Sequence, residues 1–398
     1  MCYAMRNECI MDHIFLDLPV SELQTPAFVI DEDIIEKKLL EIRVLKNRVN
    51  CKVLYTLKSL IIKEVLHRMN AHLDGFSASS LFEAQLAADV IGKAGTIHYT
   101  SPGLQVNEFS TLSETCDYMA FNSLGQFSQS KKMLSKKTNY GLRINPQKSY
   151  VSDPRYDPCC KNSRLGISLK QLHDFQEQEP FVLKGISGIH FHSNCDSTSF
   201  VPLLETVTHL LKENKNLMKQ IKWMNLGGGY LFEDSTDYLP FYETVSLLKE
   251  RYDLEVFVEP GASLVRESGF IVASVIDLFQ ADGVNIAILN TTVNHMPEVF
   301  EYQYRPDIVG ESSNGKFTYL INGASCLAGD VFGEYTFDEP LKVDDRLIFN
   351  HMGAYTFVKM HMFNGINLPT IYLHSKARGL VKKKQFVYED FLLKIGER

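Results

Sequence analysis

Val53-Leu54-Tyr55-Thr56-Leu57-Lys58 is the stretch whose reading decides the fold. It is a short, mostly apolar run of the kind a buried parallel strand needs, and it closes on a lysine just before the helical spacing of residues 61–69 begins. Alternation along a strand puts Leu54, Thr56 and Lys58 on one side. A strand's carboxyl end is also where α/β barrels keep their chemistry, so the pattern points to a reactive amine at a barrel mouth. For a lone lysine the plainer reading is a side chain that lays its stem on the protein and its amine in water. Its neighbours in the sequence decide between the two.

The same alternation of strand and helix runs outward from this stretch. A short β-branched or aromatic run, a polar or glycine stop, and a longer segment with helical spacing recur between Pro26 and Val265. Residues 186–191 precede 202–211 in this way, and 221–225 precede 238–249. About eight such units in roughly 240 residues fit a (β/α)8 barrel. After Gly269 the texture turns to strand-like runs at 270–278, 317–321, 347–350 and 386–388, parted by Gly, Asn and Asp turns. The expected organisation is a TIM-like α/β barrel over 28–265, with 1–27 and 266–398 forming a β domain of sandwich or barrel type.

Composition narrows the classes of function. A chain of 398 residues with 45% hydrophobic content buries a large core and is not expected to be disordered. Its 48 acidic and 41 basic residues give a net charge of -7, and Lys382-Lys383-Lys384 is its one conspicuous basic run, so no nucleic-acid partner is expected. Arg6, Glu8 and Asp12 interrupt what would be the apolar part of a signal peptide. No later window stays apolar for ~18 residues, and a soluble, cytoplasmic protein with no membrane partner is the expectation. Eight cysteines include no CxxC pair, and the vicinal Cys159-Cys160 lacks metal-ligand spacing, which points to reduced thiols and no metal.

Three further strand ends carry chemistry. In His190-Phe191-His192 the two imidazoles share a face, so His192 is placed to stack on a flat ring, although either residue alone would pass as a core histidine. Gly227-Gly228-Gly229 follows a strand directly, letting backbone amides approach an anion, or else simply making a sharp turn. Glu259 ends the apolar run Val256-Phe257-Val258, where a carboxylate is costly unless a cation or hydrogen bonds meet it. A protonated pyridine nitrogen is one such cation; backbone amides or an arginine are the others. Pro260-Gly261 offers further amides. With Lys58 as the attaching amine, the set suits pyridoxal 5'-phosphate. In the β domain, the loop Cys326-Leu327-Ala328-Gly329-Asp330 and the segment Gly353-Ala354-Tyr355-Thr356 stand out, the tyrosine as a hydroxyl that reaches a phosphate or merely packs.

Taken in order, Tyr55-Thr56-Leu57-Lys58, Phe76-Ser77-Ala78-Ser79 with Glu83, His190-Phe191-His192, the glycine triplet, Glu259-Pro260-Gly261, Cys326 to Asp330 and Gly353-Ala354-Tyr355-Thr356 resemble the fold-type III pyridoxal-phosphate decarboxylases. That family includes ornithine, arginine, diaminopimelate and carboxynorspermidine decarboxylases, with alanine racemase as a distant relative. Within it, His295-Met296-Pro297-Glu298, Tyr304-Arg305-Pro306 and Phe363-Asn364-Gly365 look most like carboxynorspermidine (carboxyspermidine) decarboxylase. The chain departs from the family at Ala262, where ornithine enzymes carry a phosphate-binding arginine and carboxynorspermidine enzymes tend to carry glutamate. It departs again at Ser193-Asn194-Cys195.

The resemblance implies a carboxy-lyase acting on an L-amino acid with an extended, polyamine-like side chain, in polyamine biosynthesis. It implies Lys58 as the cofactor's attachment point and Glu259 as partner of its ring nitrogen. His192 supports the ring face, and Gly227, Gly228, Gly229, Gly261 and Tyr355 hold the phosphate. Cys326 protonates the substrate carbon, and Glu298 and Asp330 are candidates for the distal amines or are ordinary loop carboxylates. A homodimer is implied, with Cys326 and Asp330 reaching the neighbour's barrel. The alternatives are decarboxylation of an aminocarboxypropyl group in antibiotic or siderophore synthesis or of diaminopimelate, and less favoured, an amino-acid racemase or a non-catalytic cofactor-binding protein.

Overall fold

The computed structural model describes residues 18–92, 95–178, 183–233 and 236–397. The readings made on Arg6, Glu8 and Asp12 lie outside the described residues. The chain divides into two compact units, one of Lys38–Leu264 and the other built from the segments on either side of it.

In chain order the strands begin with β1 (Ala27–Asp31), β2 (Lys52–Thr56), β3 (Gly75–Ala78), β4 (Thr96–Ser101), β5 (Tyr118–Phe121) and β6 (Asn139–Asn145). They continue with the two-residue β7 (Ile167–Ser168), then β8 (Ile186–His190), β9 (Trp223–Asn225) and β10 (Glu255–Val258). From β2 to β6 and from β8 to β10 each strand pairs in parallel with the next, β6 pairs β8, and β10 pairs β2. The ring of eight parallel strands is therefore closed. Strand β7 only extends β6. Helices between strands make the parallel order possible, and their apolar stripes cover the barrel. In Lys63–His72, for example, Val65, Leu66 and Met69 are the buried side chains. The next helix, Leu81–Ile91, starts where the Ser80 hydroxyl accepts the Glu83 amide at 3.2 Å.

The barrel interior is filled in layers that change character along the strands. Leu54 and Thr56, Gly141 and Arg143, Gly188 and His190, Trp223 and Asn225, and Phe257 and Glu259 each share one side of their strand or its immediate extension. The lower members form an apolar plug: Leu54, Ala120, Trp223 and Phe257 pack as one buried cluster with Tyr118 against it. Trp223 fits because its neighbours have no side chain. A Cβ at Gly188 would lie 2.1 Å from the indole, and one at Gly141 would lie 2.6 Å from it. Two residues further along, towards the carboxyl ends, the same faces carry threonine, arginine, histidine, asparagine and glutamate. A polar layer sits on a dry one.

The second unit is a sheet of β11 (Gly269–Ala281), β12 (Val284–Leu289), β13 (Phe317–Asn322), β14 (Val331–Phe337), β15 (Arg346–Phe349), β16 (Thr370–Ser375) and β17 (Gly379–Lys384), together with β1. Its order is β14-β13-β12-β11-β1-β16-β17, with β15 also paired to β11. Strand β1, expected within the barrel segment 28–265, is thus a strand of this sheet, antiparallel to β11 and parallel to β16. Its side chains pack there: Ala27 and Val29 join Phe270, Val272 and Tyr372 in one core. The strand expected at 386–388 is also absent. The Val387 amide donates to the Asp390 carboxylate at 2.9 Å, which starts the helix Tyr388–Lys394 instead.

Candidate active site

Lys58 does not continue strand β2. It lies on the one-turn 3-10 helix Leu57–Ser59 that follows Thr56, and it is exposed. The turn replaces strict alternation but leaves the amine at the carboxyl end of the barrel. Its charge is among those that lower the proton affinity of His190 and His192 and act on Glu83, so these groups lie within its electrostatic reach. Among the described residues its ammonium makes no ion pair.

Glu259, one residue beyond β10, is buried. One oxygen accepts the Asn225 side-chain amide at 2.7 Å, and the other lies 3.6 Å from Nε2 of His190. Burial alone would raise its carboxyl, but hydrogen bonding and charge from His190, with His98 and Asn225 beside it, hold it well below the usual carboxylate range. Arg143 on β6 is also buried, and its Nε has no partner among the described residues. Burial pushes this guanidinium down to about 10, while the Glu259 charge pulls the other way.

His192 accepts the Gly228 amide at Nδ1, 3.1 Å away. An accepting Nδ1 places the ring proton on Nε2 and makes the imidazole neutral. Burial, with the charges of Lys58 and Arg143, keeps its proton affinity well below the usual range in the same sense.

The glycine triplet is used differently from a simple anion nest. The Gly227 amide donates to Asn225 Oδ1 at 2.9 Å and the Gly228 amide goes to His192, so two of the three amides have internal partners. Only the Gly229 amide, followed by that of Tyr230, is without a partner among the described residues. Glycine is needed here for close approach as well. A Cβ at Gly228 would sit 2.3 Å from the Glu259 carbonyl, and one at Gly229, at φ +88, 2.0 Å from that of Asn194. Gly261 lies as close to Thr56 and Ser59, where a Cβ would be 2.2 Å from the Ser59 hydroxyl.

Around this turn several buried polar atoms have no partner at hydrogen-bond distance among the described residues: Ser59 Oγ, Ser193 Oγ, Asn194 Nδ2, Tyr230 Oη and Ser263 Oγ, with the Tyr230 hydroxyl lying near Ser193 and Asn194. All lie beyond the carboxyl ends of barrel strands, and a protein rarely buries so many polar groups with nothing to bind. The glycine turn and Pro260-Gly261 follow the seventh and eighth strands of the ring, the position where TIM barrels take a phosphate. Polar atoms without partners, two free amides, a neutral imidazole, a buried carboxylate and an amine therefore fit a phosphate-bearing cofactor with a basic ring. Sequence reading missed Arg143, Asn225 and His98. Each is an inward-facing polar residue on a barrel strand, and period two counted from Gly141, Trp223 and Thr96 would have marked them.

The remaining expected residues belong to the sheet unit. The Cys326 thiol is exposed, and its amide donates to Asn364 Oδ1 at 2.9 Å, joining two segments singled out in the sequence. Asp330 is buried, and its carboxylate accepts the Val293 amide at 2.8 Å, the Ser325 amide at 2.9 Å and the Ser325 hydroxyl. Those bonds spend Asp330 on bracing the cysteine loop. Glu298, half-buried, pairs with Lys359 at 3.0 Å, and Glu301 meets the same ammonium at 2.6 Å. Burial raises the Glu298 carboxyl and Lys359 pulls it back. Tyr355 is partly buried with a left-handed backbone, φ 61.

Known proteins resemble the chain along most of its length. Residues 32–274 match the family described as "Pyridoxal-dependent decarboxylase, pyridoxal binding domain". The carboxyaminopropylagmatine decarboxylase of Synechocystis is 33% identical over 385 residues, covering 95% of this chain and 97% of its own. The carboxynorspermidine/carboxyspermidine decarboxylase of Campylobacter jejuni is 32% identical, covering 94% of this chain and 99% of its own. The crystal structure of carboxynorspermidine decarboxylase complexed with norspermidine, from Campylobacter jejuni, superposes with a TM-score of 0.83 at 30% identity, over 94% of this chain and all of that one.

Proposed function

The chain belongs to the pyridoxal-dependent decarboxylases, and from that premise we propose that it removes the α-carboxylate of an L-amino acid made of an aminocarboxypropyl group on a polyamine or a similar amine. Pyridoxal phosphate is its cofactor. One observation carries the choice of substrate class: relatives matched end to end at about 30% identity are all named as decarboxylases of a carboxylated amine, carboxynorspermidine, carboxyspermidine or carboxyaminopropylagmatine.

When bound, the cofactor supplies the electron sink for the pair left on Cα as carbon dioxide departs. The work left to the chain is binding, orientation and proton handling. Lys58 would be the amine that holds the cofactor, and it would supply a base beside the substrate. Glu259, ionised, would be the partner of the ring nitrogen and would favour its protonated form. His192, neutral and tied to Gly228, would support the ring. Gly229, Gly261 and the hydroxyls of Ser193, Tyr230 and Ser263 would hold the phosphate. Cys326 delivers the proton to Cα, and Glu298 is the carboxylate for a distal cation. Asp330 serves the substrate by holding the Cys326 loop. We further propose a cytoplasmic homodimer in which Cys326 serves the partner's barrel; its exposed thiol suits a reducing compartment.

Carbon dioxide release from carboxynorspermidine, carboxyspermidine, carboxyaminopropylagmatine, diaminopimelate and ornithine tests the reading. One of the first three should exceed the last two in kcat/KM by roughly a hundredfold. A preference for diaminopimelate or ornithine overturns the substrate class, and racemisation without carbon dioxide overturns the reaction. Sedimentation at twice the chain mass is expected for the dimer, and a monomer with full activity refutes it.

A further inference from the structure

Asn225 bonds both Glu259 and the glycine turn. It ends β9, immediately before the glycine turn. Its Oδ1 accepts the Gly227 amide at 2.9 Å, and a backbone amide is only a donor, so the orientation of the side chain is fixed. The Nδ2 group must then point the other way, and its two hydrogens have two takers. Glu259 Oε1 is 2.7 Å away, and Nδ1 of His98 is at 3.4 Å, the long end for a hydrogen bond. The acceptor role at Nδ1 in turn sets the tautomer of His98, with its proton on Nε2. His98 is itself immobilised, stacked on Tyr118 with ring centroids 4.2 Å apart and tilted against Phe257 at 4.4 Å. The result is a rigid chain from the dry plug of the barrel through His98 and Asn225 to the carboxylate.

We propose that Asn225 is a positioning residue for the decarboxylation, clamping Glu259 to the glycine turn with His98 locking the clamp from below. Ring-nitrogen partner and phosphate grip are thereby held at a fixed spacing by one amide. The inference rests on the reading of Glu259 as the ring-nitrogen partner. The titratable and charged groups facing that carboxylate are His98 from β4, Arg143 from β6, His190 from β8 and His192 just beyond it. Asn225 is the neutral donor among them.

The test substitutes Asn225→Asp, which keeps the shape and the acceptor for Gly227 but turns the donor facing Glu259 into a second acceptor. In the holoenzyme kcat should fall about tenfold to a hundredfold, the scale of a hydrogen bond to a charged group. KM should stay within about threefold, because the change acts on the cofactor and not on substrate binding. The pH midpoint of the bound cofactor's visible absorbance should rise, since an added negative charge favours protonation nearby. His98→Phe keeps a ring stacked on Tyr118 and removes both imidazole nitrogens, the acceptor for Asn225 among them, without adding charge. It should lower kcat by less and displace the absorbance midpoint by less, and it decides the matter if Asn225→Asp does not fold. Glu259→Gln separates the two levels of the argument. If Glu259→Gln impairs turnover while both other variants keep wild-type kcat and superimposable absorbance titrations, the clamp is refuted and the role of Glu259 stands. If Glu259→Gln changes neither, the reading of Glu259 fails. A lowered melting midpoint with unchanged kcat and absorbance would mark Asn225 as merely structural and overturn the proposal.

Discussion

Gly188→Ala tests whether the dry plug beneath the site is as tightly fitted as the geometry implies. The new methyl would lie 2.1 Å from Cδ2 and Cε2 of Trp223 and 2.5 Å from its Nε1. The indole cannot retreat. Its far edge is already at the limit beside Gly141, its Nε1 donates to Ser187 Oγ at 3.1 Å, and Tyr118 meets it edge-on with centroids 5.3 Å apart. Overpacking a close-packed interior costs roughly 1–3 kcal/mol, and breaking the Ser187 bond adds about 1 kcal/mol. A total of about 2–4 kcal/mol corresponds to a fall of roughly 5–15 °C in melting midpoint for a unit of this size. The assay is thermal unfolding of the holoenzyme at one scan rate, for Gly188→Ala, Trp223→Phe and the double variant. Phenylalanine lacks Nε1 and the second ring and so has room to shift away from the new methyl, and the double variant should recover about 1 kcal/mol or more relative to additivity. Simple additivity, or a Gly188→Ala midpoint within about 1 °C of wild type, would refute the packing argument.

Three further outcomes follow from the geometry. Lys58→Ala should abolish the visible absorbance of bound cofactor and lower kcat by more than about a thousandfold; an unchanged spectrum would remove Lys58 from the site. Asp330→Ala should strand the Val293 and Ser325 amides, cost about 2–4 kcal/mol, and speed modification of the exposed Cys326 thiol, whereas a raised KM with unchanged stability would make Asp330 a substrate contact instead. The third concerns acid. Burial lowers His295 from 6.5 to about 3, so the unfolded chain binds the proton that the folded chain refuses. The stabilisation is complete above about pH 6.5 and is lost as pH falls, reaching about 2 kcal/mol at pH 5. Denaturant unfolding of His295→Gln should show a pH dependence shallower by that amount, and an identical slope would show that His295 titrates normally in the fold.

The closed barrel was legible because its signal is local: period two within strands, helical spacing between them, and chemistry at strand ends. The residues that failed to declare themselves are those whose meaning lies across the ring. His98 and Asn225 are 127 positions apart in the chain, and nothing in Thr96-Ile97-His98-Tyr99 says that its imidazole will meet an amide from β9. Two local misreadings have the same origin. Ala27 to Asp31 is as good a barrel strand as any by composition, but its apolar side chains pack against Phe270 and Val272, and only pairing reveals that. The 386–388 run is β-branched and aromatic, yet the Asp390 carboxylate caps a helix there.

The glycine triplet shows why a motif and its mechanism need separate arguments. As sequence, three glycines after a strand suggest three amides converging on one anion. In the structure the first amide serves Asn225 and the second serves His192, which leaves the third for a ligand. The first two glycines thereby gain a different purpose: each ties down a side chain, Asn225 beside Glu259 and His192 at the next strand end, while the third keeps its amide free. On the proposed reading the turn would couple ring recognition to phosphate recognition, so a substitution that shifts it should disturb both together. Gly228→Ala makes the point testable, because its methyl would strike the Glu259 carbonyl at 2.3 Å and leave the His192 ring at 3.8 Å. Cofactor affinity and the visible absorbance of the bound form should then change in concert. Weakened affinity with an unaltered spectrum would mean that the turn serves the phosphate alone.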